Sequence, residues 1–274
     1  MSKKVLAVHD ISCVGRCSLT VALPILSHFG LETRVLPTVL LSTHTGGFTG
    51  FTSLDLTDEM KKIMAAWQPL DLQFDAIYSG YMASAEQIDV LKTLISTYKK
   101  AENIMIIDPV MADNGQLYQV FDAAFVDKMA ELIPFADVLT PNITEACLLT
   151  GTAYESGLHN EEWLSEIIGK LHAKGAKVVV LTGVKLETGK IGVAVSADKQ
   201  LQIYTAEEIS GTYHGTGDIF GSVLTAGIVQ GHKTFDAAKT AVDFVLAAIQ
   251  STPEMQDKRY GVEFEQVLAS GKFL

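Results

Sequence analysis

Residues 213–222 read Tyr-His-Gly-Thr-Gly-Asp-Ile-Phe-Gly-Ser. Gly215 and Gly217 bracket a threonine, Asp218 follows at once, and a pattern of helical period begins. Glycine tolerates positive φ and carries no Cβ, so successive N–H groups can turn together toward one oxygen-rich ligand. A helix starting there adds the positive end of its dipole. The stretch therefore reads as an anion cradle suited to phosphate, with a carboxylate at its edge able to take a proton from a hydroxyl. The plainer alternative is that Asp218 only caps the helix. In either case the helix end is expected to hold the Asp218 pKa down.

Two familiar nucleotide motifs do not fit. Gly215-x-Gly217-x-x-x-Gly221 looks like a dinucleotide fingerprint, but that motif joins the first strand and first helix of a βαβ unit. Here two helical patterns, Thr216–Val229 and Phe235–Gln250, follow with no strand after them. A Walker A loop fails as well, because Gly189-Lys190 is followed by Ile191 and Val184 stands where its first glycine belongs.

Upstream, short β-type runs alternate with amphipathic helical patterns. The runs are Val5–Val8, Val35–Leu41 (interrupted by Pro37), Ala76–Tyr78, Ile104–Ile107, Val138–Leu139 and Val178–Leu181. Helical spacing marks Ala85–Tyr98, Trp163–Leu171 and Thr57–Trp67, the last with Thr57 as N-cap. Ile191–Val195 and Leu201–Thr205 read as a hairpin around Ala197-Asp198-Lys199. This alternation predicts an α/β fold with a mainly parallel sheet between two helical layers, in one domain over residues 1–274. Ligands of such sheets bind beyond the carboxyl ends of the strands. That rule selects His9-Asp10, Ser42–Gly50, Gly80-Tyr81, Asp108–Asp113, Thr140–Glu145, Thr182-Gly183 and Tyr213–Asp218.

The chain has 274 residues, 48% hydrophobic and 19% charged, enough for a substantial core. A formal charge of -11 disfavours nucleic acid as a partner. Cys13, Cys17 and Cys147 are an odd set that argues against a disulfide framework. They are expected to be buried or half-buried thiols, since the Cys13–Cys17 spacing suits neither a redox nor a zinc motif. After Met1-Ser2-Lys3-Lys4 the apolar run is too short for a signal segment, and no run of membrane-spanning length occurs. The expectation is a cytoplasmic protein with no membrane partner.

Gly215-Thr216-Gly217-Asp218, Asp108-Pro109-Val110 and Thr140-Pro141-Asn142-x-x-Glu145, in this order, resemble the ribokinase-like vitamin kinases. Thr43-His44-Thr45-Gly46 and Gly80-Tyr81 narrow the resemblance to the pyridoxal kinase branch. It extends over nearly the whole chain. It implies a ribokinase-like three-layer α/β/α sandwich and ATP-dependent phosphorylation of the 5′-hydroxymethyl group of a vitamin B6 vitamer. Asp218 would be the catalytic carboxylate, with the amides of Gly215, Thr216 and Gly217 on the transferring phosphoryl group. Asp108 and Glu145 would hold Mg²⁺, mostly through water. Asn142, Thr182 and Gly217 would meet ATP, while Asp10, Thr45 and Tyr81 would line the pyridine pocket. Residues 112–120 would form a mobile lid with Tyr118 reaching inward. A homodimer and a helper K⁺ or Na⁺ also follow from the resemblance.

The chain departs from that pattern at Asp10, where many pyridoxal kinases carry Ser, and at Thr43, where many carry Asn. The usual glycine-rich segment after the first strand is reduced to Gly15. An acidic Asp10 points to a protonated ring or to the amine of pyridoxamine. Asp113 and Lys185 are further candidates on the rim, and His44 is expected to be structural, hydrogen-bonded within its turn. The rival readings are a hydroxymethylpyrimidine kinase of thiamin metabolism, which often has Cys in place of Asp218, a sugar kinase, and a non-catalytic B6- or nucleotide-binding protein.

Overall fold

A computed structural model describes residues 2–198 and 200–273. Lys199, in the expected hairpin turn, and Met1 lie outside the described residues. The chain begins with β1 (Lys4–Ser12), α1 (Leu19–His28), β2 (Glu32–Leu41), β3 (Ser53–Asp55) and α2 (Thr57–Trp67). Next come β4 (Ala76–Ser79), α3 (Ala85–Tyr98), β5 (Ile104–Ile107) and two very short strands, β6 (Ala112–Asp113) and β7 (Gln116–Leu117). Then follow α4 (Ala123–Ala130), β8 (Val138–Leu139), α5 (Ile143–Thr150), α6 (Glu161–Ala173) and β9 (Val178–Val184). The remainder is β10 (Lys190–Ala197), β11 (Gln200–Glu207), α7 (Thr216–Val229), α8 (Thr234–Ser251) and α9 (Glu265–Ser270).

A nine-stranded sheet runs β11-β10-β9-β8-β5-β4-β1-β2-β3. Its centre, from β9 to β2, is parallel; β3 at one edge and β10 and β11 at the other are antiparallel. Side chains alternate faces along each strand. Leu6 and Val8 of β1 join a core with α2 to α6, while Val5 and Ala7 join a second core with α1, α7 and α8. The sheet is thus covered on both sides, which explains the continuous apolar runs.

Local chemistry sets the element ends. Ser84 caps α3 by accepting from the Gln87 N–H, and Ile88, Leu91, Leu94, Ile95 and Tyr98 form its buried stripe. Asn114 and Gly115 both have positive φ, the requirement of a tight two-residue hairpin, and join β6 to β7.

The structure corrects several expectations. β1 continues through His9 and Asp10, which therefore lie within the strand rather than after it. Pro37 does not interrupt β2; it sits opposite His9, where the ladder shifts register. A bulge absorbs the missing N–H. Thr57 is not the N-cap of α2. Leu56 holds that position, and Asp55 accepts from both the backbone N–H and the hydroxyl of Thr57. The helix α1 was not anticipated, because its run is apolar nearly all round and contains Pro24.

Gln87 ties this edge of the sheet together. It is fully buried; its Nε2 donates to the Thr38 carbonyl (2.9 Å) and the Thr57 hydroxyl (3.1 Å), and its Oε1 accepts from the Ala83 N–H (2.8 Å). Gln87→Leu leaves the Ala83 N–H unpaired and strips one donor each from the Thr38 carbonyl and the Thr57 hydroxyl, which keep Leu56 and Asp55 as partners. We expect it to lower the unfolding free energy by about 2–4 kcal/mol in a urea titration. An unchanged midpoint would show that the network adds nothing.

Candidate active site

Strand ends bring the acidic residues to one rim. The Asp108 N–H donates to the Ser79 carbonyl (2.9 Å) and the Thr140 N–H to the Ile107 carbonyl (3.0 Å), so the ends of β4, β5 and β8 stand level. Asn142 bridges to Thr182 as a further parallel pairing, with the Thr182 N–H on the Pro141 carbonyl at 2.9 Å. The two residues expected at ATP are therefore neighbours.

Gly215 is the N-cap of α7, with φ 79°. A Cβ there would lie 2.0 Å from the Arg16 carbonyl oxygen, so both conformation and space require glycine. At Gly217, which is exposed, a Cβ would meet nothing within 4 Å, so space alone does not require glycine there. Asp218 is the third residue of α7 and makes no cap hydrogen bond, which removes the capping alternative. The expected fall in its pKa is also overturned: burial pushes it up to about 7, with the Asp10 charge adding, against a hydrogen bond from the Ser18 backbone. Loss of water around the carboxyl outweighs the helix end.

Ser18 joins the two acids. It precedes α1 with φ 56°, a conformation few residues other than glycine adopt. Its backbone N–H serves Asp218 and its hydroxyl serves Asp10. Asp10 is buried and also accepts from the Ser12 hydroxyl (3.1 Å); burial raises its pKa, and the two serines oppose the rise. Cys17 lies beside them, its thiol pushed up by burial and then by Asp218 and Asp10. Cys13, expected to be at least half-buried, is exposed.

Glu145 forms a capping box at the start of α5: the Asn142 side chain accepts from the Glu145 N–H (2.9 Å), and Glu145 Oε2 accepts from the Asn142 N–H (2.9 Å). Its Oε1 accepts from the Met111 N–H (3.1 Å). Burial raises its pKa to about 8 even so. Asp108 is pushed well up by burial, then by Glu145 and then by Asp218. These three carboxyls share one field with no basic side chain offsetting it.

The donor set fits one hard divalent cation. Among the described residues no cluster of three or more His, Cys, Asp or Glu could hold a metal ion by itself. Two carboxyls, Glu145 buried and Asp108 half-buried, that resist losing their protons together suit Mg²⁺, which takes one or two protein carboxylates and fills its shell with phosphate and water. Glu145 already serves two backbone donors, which favours contact through water.

The remaining candidates spread around this centre. Tyr81 is half-buried, its ring 5.7 Å from Phe121 and its hydroxyl pushed up to about 12 by burial, Asp10 and Asp55. Tyr118 follows the β6–β7 hairpin and is 38% exposed, yet burial and then Glu145, Asp113, Asp108 and Asp218 all raise its pKa. The hairpin is pinned at its tip by the Gly115 N–H on the Thr144 hydroxyl (2.9 Å). Thr45 is exposed and makes no hydrogen bond among the described residues. The Asn142 amide also donates to the Ala112 carbonyl (2.8 Å). Asp113 holds the Asn114 turn, and Lys185 is paired with Glu208. His44 accepts from the Gly46 N–H (3.1 Å) within its turn and also reaches the distant Arg259 carbonyl.

Tyr78 was missed as a site residue, whereas Cys17-Ser18, beyond Gly15, were expected near the substrate without a role. A serine or cysteine in a loop and a tyrosine in an apolar strand carry no local signal. Only the register of β1 and the approach of Arg16 to Gly215 place them here.

Comparison with known proteins agrees with this geometry. Residues 25–263 match the phosphomethylpyrimidine kinase family. A Bacteroides thetaiotaomicron protein provisionally assigned as a phosphomethylpyrimidine kinase, crystallised with pyridoxal, is 41% identical, with TM-score 0.93 over 98% of this chain and 96% of that one. The pyridoxal kinase of Lactobacillus plantarum is 33% identical, with TM-score 0.90 over 98% and 96% of the two chains. A Schizosaccharomyces pombe protein provisionally named a pyridoxal kinase is 28% identical over 204 residues; the match covers 71% of this chain but only 58% of that longer one. The chain belongs to the phosphomethylpyrimidine kinase family, within the pyridoxal kinase group of the ribokinase-like superfamily.

Proposed function

We propose that the protein transfers the γ-phosphoryl group of ATP to the 5′-hydroxyl of a vitamin B6 vitamer. The observation that carries this reading is Asp218, a carboxyl pushed up to about 7 by burial, in the first turn of α7 directly after Gly215 and Gly217. A base poised near neutrality suits proton transfer at physiological pH. The relative crystallised with pyridoxal supports the choice of vitamer.

In this reading the substrate hydroxyl lies between Asp218 and the γ-phosphorus. Its oxygen forms the new P–O bond as the bond to ADP breaks, and its proton passes to Asp218. The transition state is loose, so the chain acts chiefly by positioning and by stabilising charge. Amides of Gly215, Thr216 and Gly217 face the phosphoryl oxygens. Asn142 and Thr182 sit where they would meet the phosphates of ATP. Asp10, Thr45 and Tyr81 border the ring side, and Tyr118 with the β6–β7 hairpin would cover the site and exclude water. Asp108 and Glu145 would hold Mg²⁺, which when bound offsets phosphate charge, and K⁺ or Na⁺ would assist. The protein would act in the cytoplasm as a homodimer. No helix among the described residues is long and apolar enough to cross a membrane.

The family description keeps a pyrimidine substrate as the second reading. The test is side-by-side ATP- and Mg²⁺-dependent phosphorylation of pyridoxal, pyridoxamine, pyridoxine and hydroxymethylpyrimidine. Turnover of the B6 compounds is expected; turnover of the pyrimidine alone would move the protein to thiamin metabolism. Asp218→Asn should lower kcat by about a thousandfold or more while ATP still binds. Equal activity in that variant would remove Asp218 from the mechanism.

The raised carboxyl pKa values also set a stability profile. Asp218 and Glu145 hold protons in the folded chain up to about pH 7 and 8, whereas the unfolded chain releases them near pH 4. Their contribution is complete below that unfolded value and is lost as pH rises through 7 and 8. The buried histidines His9, His44 and His159 and the half-buried His214 have lowered pKa values, so their opposing effect is over by about pH 7.5. Metal-free protein should therefore melt at a lower temperature at pH 8.5 than at pH 7.5. Asp218→Asn and Glu145→Gln should each flatten that slope in a calorimetric pH series. A flat profile in the unmodified chain would contradict the assignment.

A further inference from the structure

Gly221 has no part in the mechanism, yet it stands within the same glycine stretch as Gly215 and Gly217. Its φ is not in the left-handed region, so its backbone conformation does not demand glycine. A glycine inside a helix also costs stability relative to alanine. Space explains it: a Cβ at Gly221 would lie 2.2 Å from the Tyr78 hydroxyl oxygen and 2.9 Å from the ring carbon that bears it.

Tyr78 is fully buried in β4, with its ring edge-on to His9 at 4.4 Å. Its hydroxyl makes no hydrogen bond of good geometry among the described residues, though the Ser222 hydroxyl lies close enough to ease loss of its proton. A dry, unpaired hydroxyl is unfavourable, and a phenylalanine would fill the same space without it. The oxygen touches α7 at Gly221, three residues after Asp218, and residues three apart lie on one face of a helix. Asp108 borders the same place from the end of β5, and burial first, then both carboxylates, oppose loss of the phenolic proton. Tyr78 therefore presents a permanent O–H donor beneath the acidic centre. Ser222, the next residue, ties its own hydroxyl back to the Asp218 carbonyl at 2.6 Å.

We infer that Tyr78 is a positioning residue: its hydroxyl, seated against Gly221, fixes the first turn of α7 and with it the carboxylate of Asp218. The inference rests on Asp218 acting as the proton acceptor of a kinase. It assigns Gly221 the role of admitting the phenol oxygen.

The test is a four-enzyme cycle of wild type, Tyr78→Phe, Gly221→Ala and the double variant, with kcat, KM for both substrates and melting temperature measured for each. Tyr78→Phe should lower kcat about tenfold with both KM values within about twofold and the melting temperature held. Gly221→Ala should lower kcat and melting temperature together, because the new methyl displaces the oxygen. Adding Tyr78→Phe to Gly221→Ala should restore the melting temperature, since the colliding atom is gone, but not the kcat. Wild-type kcat in Tyr78→Phe would overturn the inference. So would a kcat loss accompanied by raised KM and lost stability, which is the mark of packing alone. If wild type phosphorylates only hydroxymethylpyrimidine, the vitamer reading fails, and the same cycle on that substrate decides the role of Tyr78 separately. A wild type inactive on every alcohol would defeat both.

Discussion

Four carboxyl groups, Asp10 and Glu145 buried and Asp108 and Asp218 half-buried, gather at one rim of the sheet, with no lysine or arginine among the described residues to balance them. Much of the local architecture answers that constraint. Backbone N–H groups of Ser18, Met111 and Asn142 point at three of them, and serine hydroxyls serve Asp10. The starts of α5 and α7 lend their positive ends. These partial charges offset part of the cost of burying the carboxyls.

The rim is built from segments far apart in sequence, and their contacts are mostly backbone to backbone. Arg16 offers its N–H to the Tyr260 carbonyl and its own carbonyl to the face of Gly215. His44 reaches the Arg259 carbonyl, and its ring lies 5.1 Å from that of His214, just before the cradle. Gly46 has no room for a Cβ because His214 stands there. The loop expected at the vitamin ring, the loop expected at the phosphate and the C-terminal segment therefore form one packed unit. A shift in one would move the others.

How much of this could be read from the sequence divides along a physical line. Periodicity located the covered strands and amphipathic helices closely; α3 and α2 have the bounds that spacing implied. The glycine stretch announced a helix start, and α7 begins at Thr216. What stayed hidden depends on tertiary approach. α1 is too uniformly apolar to show a face, and the β1 bulge follows from pairing with Pro37. The charge state of Asp218 was misread because a sequence displays the helix end but not the burial that overrides it. Tyr78 is silent for the same reason: an ordinary core tyrosine becomes part of the site only through what packs against it.

Glu145 illustrates a wider consequence. The same carboxylate closes the capping box of α5, anchors Met111 at the root of the hairpin and faces Asp108. Selection on protein folding and selection on chemistry would therefore act on one side chain in the same direction. Such a position can stay fixed through long divergence even in a descendant that has lost catalysis. Its persistence would then record the architecture of a helix start rather than the survival of an enzyme.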